Sequence, residues 1–264
     1  MMYLNDILES LLFMPKKKIK ASFMRFVQKF RNLIFPQDIK CIFCKEELNN
    51  HSMNSTCEIC LNSLPYIINS CPKCGGVLST ETMGVCFDCK RNNYSFEQAF
   101  SVFTYENSVL NAIHTLKYFG KKYLAKNFAY FMAQKIQTEN ISFDYITCVP
   151  MFKDKQKERG FNQSELIAEE ISKLLNVEYL PMCKKVVNTS SQTQHTFSER
   201  KANVKNSFKF ISNFKPYIKN KNVLIIDDVF TTGATCDELS NVILKAGANK
   251  CYVITLAHVC LNRS

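Results

Sequence analysis

The chain has 264 residues, 46% hydrophobic and 22% charged, with seven glycines and seven prolines. That composition excludes a collagen-like, wholly disordered or low-complexity protein, and the length suits one large domain or a medium one joined to a small one. No run reaches the roughly 18 apolar residues of a membrane helix, and the N-terminus lacks a compact apolar stretch with a small-residue cleavage site, so the expected location is cytoplasmic. The formal charge is +11. Eight of the thirteen cysteines lie in C-x-x-C pairs; two sites of one Zn²⁺ and four thiolates would bring the charge to about +7. A chain this basic favours phosphates, nucleic acid or anionic lipid.

Residues 1–40 form the first segment. Ile19, Phe23, Phe26, Phe30 and Leu33 recur at helical spacing, and basic residues crowd around them from Lys16 to Arg31. One reading is a basic amphipathic helix on a membrane surface or DNA, giving membrane association through this segment. The other, favoured because any surface helix shows this periodicity, is a helix packed on its own protein with a solvated basic face.

The second segment, 41–92, holds the pairs Cys41/Cys44, Cys57/Cys60, Cys71/Cys74 and Cys86/Cys89. Twelve residues separate the first two pairs and eleven the last two. A C-x-x-C turn aims two sulfurs at one metal, and two such turns complete a tetrahedron. Sequential pairing is expected, first with second and third with fourth; a crossed pairing would use the same residues. The segment has no long apolar periodicity, so metal would supply much of its folding energy. A disulfide framework suits an oxidising compartment instead, and thiol exchange does not require four evenly placed pairs. Zinc is the default ion, with iron in an S₄ site compatible on ligands alone. His51 lies between two pairs as an ordinary loop residue. Cys148, Cys183, Cys236, Cys251 and Cys260 have no motif spacing and read as small core residues.

The third segment, 94–264, alternates strand and helix patterns. Strands are expected at 98–105, Tyr145–Val149, Val223–Val229 and Tyr252–Leu256. Helices are expected over about 107–137, Asn162–Leu175 and Thr235–Ala246, with Asn162/Glu165 and Thr235/Glu238 at capping-box spacing. The fold class is therefore α/β with a mainly parallel sheet, and the unbroken apolar run at 223–226 suits a strand covered on both faces.

Chemistry concentrates in Val223–Thr235, VLIIDDVFTTGAT. An apolar strand delivers Asp227 and Asp228 to its C-terminal end, where parallel α/β sheets bind ligands. A Thr/Gly loop and a helix start follow, which is an anion site for a phosphate. The acids suit vicinal hydroxyls or a metal-bridged diol. Phosphate on one side and diol on the other describe a ribose 5-phosphate. A Walker A loop is excluded, because no G-K-[ST] follows.

This strand, acid pair and TTGxT loop resemble the signature by which type I phosphoribosyltransferases bind phosphoribosyl pyrophosphate (PRPP). Two further segments, Val149-Pro150 leading to RGFNQSELIA (Arg159–Ala168) and Ser191–Phe208, join the four cysteine pairs in extending the likeness. Over about residues 30–264 the chain resembles the ComF family, a double zinc ribbon followed by a phosphoribosyltransferase-like domain. The resemblance implies that Asp227 and Asp228 meet the ribose hydroxyls of PRPP. It implies that Thr231, Thr232, Gly233, Ala234 and Thr235 cradle the 5-phosphate, and that a basic loop after Pro150 holds pyrophosphate with Arg159 as a charge clamp. Gln192, Arg200 and Asn203 match a spaced polar pattern that closes over the site, and Arg200 joins Arg159 and the two acids as the expected catalytic set. His195 stands where the family more often has an apolar residue. Lys117, in HTLKYFG, either approaches the phosphates or faces solvent.

The implied cofactors are two structural zinc ions, and Mg²⁺ with PRPP. The implied setting is natural competence, with single-stranded DNA and a helicase-like protein as partners. Phosphoribosyl transfer needs positioning and charge neutralisation more than acid–base side chains, in keeping with the lack of a His-centred triad. Two readings differ in class: transfer of phosphoribose to an acceptor, or a non-catalytic scaffold binding PRPP or single-stranded DNA.

Overall fold

The computed structural model describes residues 40–48, 54–79, 84–188 and 202–260. The helical reading of residues 1–39, His51, and the polar positions Gln192, His195 and Arg200 lie outside the described residues.

Four parallel strands form the central sheet: β1 (Gln98–Thr104), β2 (Tyr145–Cys148), β5 (Asn222–Phe230) and β6 (Lys250–His258), in the order β1-β6-β5-β2. A short antiparallel hairpin, β3 (Cys183–Lys185) with β4 (Phe208–Phe210), stands apart from it. The apolar run of β5 is central, as its lack of alternation requires. Leu224 and Ile226 enter one core, while Val223 and Ile225 enter the other.

The first core is covered by α3 (Asn107–Phe119), α4 (Leu124–Thr138) and α6 (Gln163–Leu175); the second is covered by α8 (Ala234–Lys245). The single helix expected over 107–137 is two, because the chain turns at Gly120 after Phe119. The segment after Pro150, expected as a loop, contains helix α5 (Lys153–Arg159), none of whose residues is buried. Its sequence, KDKQKER, has no apolar stripe to betray a helix. A further short helix, α7 (Lys215–Ile218), precedes β5.

Asn162 caps α6 as expected, its side chain accepting from the Ser164 amide at 3.2 Å. The Thr235/Glu238 capping box does not form. Helix α8 begins one residue earlier, capped by Gly233 in the left-handed region, and Glu238 accepts from the Asn206 amide instead.

The two ribbons repeat one plan. In each, the first C-x-x-C turn is closed by a hydrogen bond, Cys41 N–H to Glu46 C=O at 2.8 Å and Cys71 N–H to Gly76 C=O at 2.7 Å. In each, the second pair begins a short helix, its first cysteine at the N-cap and its second within the first turn: α1 (Glu58–Ser63) or α2 (Phe87–Arg91). The first ribbon packs into the first core and the second into the other.

Candidate functional site

The cysteines gather sequentially. Cys41, Cys44, Cys57 and Cys60 form one cluster and Cys71, Cys74, Cys86 and Cys89 the other, with the sulfurs of each within 4.8 Å of one another. A tetrahedron of Zn–S bonds of about 2.3 Å sets sulfurs roughly 3.8 Å apart. Cys44 and Cys57 sulfurs lie 3.6 Å apart, and those of Cys74 and Cys86 3.7 Å. Backbone amides of Cys57 and Cys86 point at the sulfurs of Cys41 and Cys71, the polarity a thiolate requires. The donor sets fit zinc, and the crossed pairing is ruled out. Of the five remaining cysteines, four are buried as expected; Cys260 is exposed, being carried on the chain beyond β6 rather than on a packed element.

The acid pair lies near the C-terminal end of β5. Asp227 and Asp228 are both buried. Asp227 Oδ1 accepts from Ser164 Oγ at 2.8 Å and from the Asp228 amide at 2.9 Å. Burial, and then the neighbouring Asp228 charge, push the Asp227 carboxyl above the usual carboxylate range. Asp228 goes the other way. Burial alone would raise it, but the Lys117 ammonium, paired with its Oδ2, brings it below the usual range. Lys117 is half-buried and held above the ordinary lysine value, the Asp228 charge outweighing desolvation. Its ammonium is turned toward Asp228.

Gln163, next to the acid pair in the first turn of α6, also lowers the Asp228 carboxyl. Gln163 Oε1 accepts from Arg159 Nη1 at 2.6 Å, and the Arg159 guanidinium lies over the Tyr118 ring, 5.3 Å from its centroid. Arg159 is thus bonded to Gln163, which lies beside the acid pair. Ser164 and Gln163 were not assigned a role by the sequence, although both stand in the family-like RGFNQSELIA stretch. Their signal is position: the first turn of a helix whose N-cap, Asn162, is tied to Val149 C=O at 3.0 Å, beside the end of β2.

Beyond the acids, Thr231 to Thr235 form the loop and the first turn of α8. Gly233 has φ of +74°. A Cβ there would come within 2.5 Å of the Phe230 ring and 3.0 Å of the Tyr94 ring, so both conformation and space demand glycine. The first amides of α8 have no intrahelical acceptor and face outward with the positive end of the helix dipole. Tyr94, from the chain leaving the second ribbon, donates its hydroxyl to Thr232 C=O at 3.0 Å. The sequence carries no signal for this contact between residues 138 positions apart.

On the β2 side is a cavity of about 190 Å³, lined by Pro150, Lys153, Glu165, Lys184 and Lys185 among others. Burial, and then the charge of Lys155, push the Lys185 ammonium below its ordinary value. Arg159 does not line this cavity. Of the polar pattern that includes Arg200, Asn203 is described and exposed.

A parallel α/β sheet with a buried acid pair near the end of a central strand and a glycine-turned loop after it, preceded by two Cys₄ clusters, defines the class: a double-zinc-ribbon protein with an α/β domain. The comparisons agree in sequence. A double zinc ribbon domain matches residues 30–90. Competence protein F of Haemophilus influenzae is 26% identical over 230 residues, 83% of this chain and 97% of that protein. The DNA utilization protein YhgH of Escherichia coli is 27% identical over 73% of this chain and 85% of its own. Competence protein ComFC of Bacillus subtilis is 25% identical over 72% and 78%. The resemblance to the ComF family is thereby shown.

Among solved structures, a Bacillus subtilis glutamine PRPP amidotransferase matches at 19% identity and a TM-score of 0.34, over 50% of this chain. This chain spans a quarter of that one. An adenine phosphoribosyltransferase matches at 19% and 0.33, over 52% of this chain and 73% of its own. Among the described residues no helix is long and apolar enough to cross a membrane.

Proposed function

We propose that the chain binds PRPP with Mg²⁺ and works in the cytoplasm on the handling of incoming DNA, transferring phosphoribose to an acceptor. The observation that carries the reading is the acid pair, buried near the end of β5 and followed within three residues by a loop that only glycine can turn. Ribose hydroxyls would replace Lys117 as the partner of Asp228, and the loop amides with Thr231, Thr232 and Thr235 would take the 5-phosphate. The lysines around the Pro150 cavity supply positive charge where pyrophosphate would leave, with Arg159 and Arg200 as further cations. Mg²⁺ would accompany PRPP and neutralise its phosphates. The role in DNA uptake rests on the printed names of the competence and DNA utilization proteins to which the chain is similar. A net charge of +11 suits single-stranded DNA and is compatible with the second reading, a non-catalytic PRPP- or DNA-binding scaffold for a helicase-like partner.

The test is calorimetric titration of Mg²⁺ and PRPP into wild type and into the Asp227→Asn, Asp228→Asn double variant. Binding by wild type and its loss in a folded double variant is the expected result; retained affinity in that variant overturns the site. Release of pyrophosphate with a candidate acceptor then separates transfer from scaffold.

A further inference from the structure

The second ribbon does more than pack beside the sheet. From its first turn, Gly76 lies against the imidazole of His258; a Cβ at Gly76 would come within 2.8 Å of the ring. His258 stacks on Phe230, centroids 4.9 Å apart and planes at 17°. Phe230 in turn fills the space under Gly233. From the ribbon's last cysteine the chain runs through α2 to Tyr94, which stacks on Phe96 at 4.8 Å and donates to Thr232 C=O. The next amide, Ser95 N–H, donates to Asp237 Oδ1 at 2.6 Å, in the first turns of α8. Phe96 closes the ring edge-on against Phe230. Two routes thus leave the second cysteine cluster, one from each of its halves, and both end on residues 230–237. Among the described residues the first cluster makes no such contact: its ribbon meets Phe103, Phe131 and Asn127, on the other face of the sheet.

We infer that the second ribbon is the brace of the phosphate loop, with Tyr94 and His258 as positioning residues. Metal held by Cys71, Cys74, Cys86 and Cys89 then sets the loop's affinity for a phosphate, and metal held by Cys41, Cys44, Cys57 and Cys60 does not. The physical reason is order. Loop amides bind an anion well only if they already converge before it arrives. A Cys₄ turn without its ion loses most of its folding energy, so Gly76 and the 90–96 strap would no longer hold His258 and Tyr94 against the loop. The inference rests on reading residues 231–235 as a phosphate site, but the brace itself can be observed without ligand.

The experiment uses the full, zinc-loaded chain and amide hydrogen exchange resolved over residues 231–237, followed by PRPP titration. Four variants are compared: Cys86→Ser with Cys89→Ser, Cys44→Ser with Cys57→Ser, Tyr94→Ala and Tyr94→Phe. The second-ribbon variant and Tyr94→Ala are expected to exchange about tenfold faster in the loop while β5 keeps its protection, as expected when a local unit opens below the global limit. PRPP affinity falls with it. Tyr94→Phe keeps the ring and loses one hydrogen bond, so an intermediate change of about fivefold is expected. The first-ribbon variant leaves loop exchange and affinity at wild-type values. Unchanged loop exchange in both Tyr94 variants, or equal loosening from either ribbon, overturns the brace. Faster loop exchange in a protein whose wild type binds no PRPP upholds the brace and sinks the ligand reading instead.

Discussion

The two ribbons share paired C-x-x-C turns, a closing hydrogen bond and a short helix, yet they are seated on different chemistry. The seat of the first is apolar and closed. Phe43 stands edge-on to Phe103 and Phe131 at centroid distances of 6.3 and 6.1 Å, and Asn127 Nδ2 ties the ribbon down through Asn54 C=O and Ser55 Oγ. The seat of the second adjoins the loop beyond the acid pair, and its polar contacts reach Thr232 and Asp237. A repeated metal motif therefore fixes how a segment folds on itself, while the function it serves is decided by the residues between and beyond the cysteines.

The largest expected separation of the two comes from Phe43→Ala. A buried phenylalanine cut to alanine costs roughly 3–5 kcal/mol, so the melting temperature should drop clearly in calorimetry. PRPP affinity, measured below that transition, should match wild type. A parallel loss of affinity would mean that the first ribbon also shapes the site.

The next prediction concerns the price in stability of the acid pair itself. The Asp227 carboxyl is raised above its unfolded value, so wild-type stability from this group is fully present below the usual carboxylate pKa of about 4 and is lost as pH rises toward the folded value. Asp227→Asn removes that loss. The variant should melt above wild type at pH 8, with the advantage shrinking steadily as pH is lowered to 4, although it no longer binds PRPP. A constant offset across that range would show that Asp227 is not strained by burial. No comparable pH dependence is expected from Phe43→Ala, whose neighbours are aromatic rings.

Much of this was legible before any coordinates. The unbroken run at 223–226 marks a strand covered on both sides, and Asp227 and Asp228 after it can only be tolerated in a core for a purpose. The cysteine spacing identifies the eight ligands, while the structure settles their sequential pairing. What escaped has physical reasons. Helix α5 carries no apolar face, so periodicity could not find it. The hairpin β3–β4 consists of strands three residues long, with 22 residues between them, too short for any alternation to register. The start of α8 was placed at the Thr235 capping box, but the left-handed Gly233 took the cap position. The partners of the acids, Lys117 and Ser164, lie on two helices far away in the chain, and only the folded sheet brings them to the same carboxylates. Tyr94 is the extreme case: a tyrosine after a metal ribbon announces nothing about a loop 138 residues later.

The smallest effect tests whether polar contacts at the first seat are as local as its aromatic ones. Asn127 is buried on α4 and donates to Asn54 C=O at 2.8 Å and to Ser55 Oγ at 3.1 Å. Asn127→Ala removes one of two donors to the Asn54 carbonyl, which keeps the Thr56 hydroxyl, a loss of about 0.5–1.5 kcal/mol. Because Asn54 and Ser55 both stand at positive φ just before Cys57, the backbone that presents the third sulfur of the first cluster should relax. Protease cleavage near residues 54–56 should therefore rise, and zinc should leave the first cluster sooner under chelator while the second retains its ion. Simultaneous release from both clusters would show that the ribbons respond as one unit, and the division of labour between them would fail.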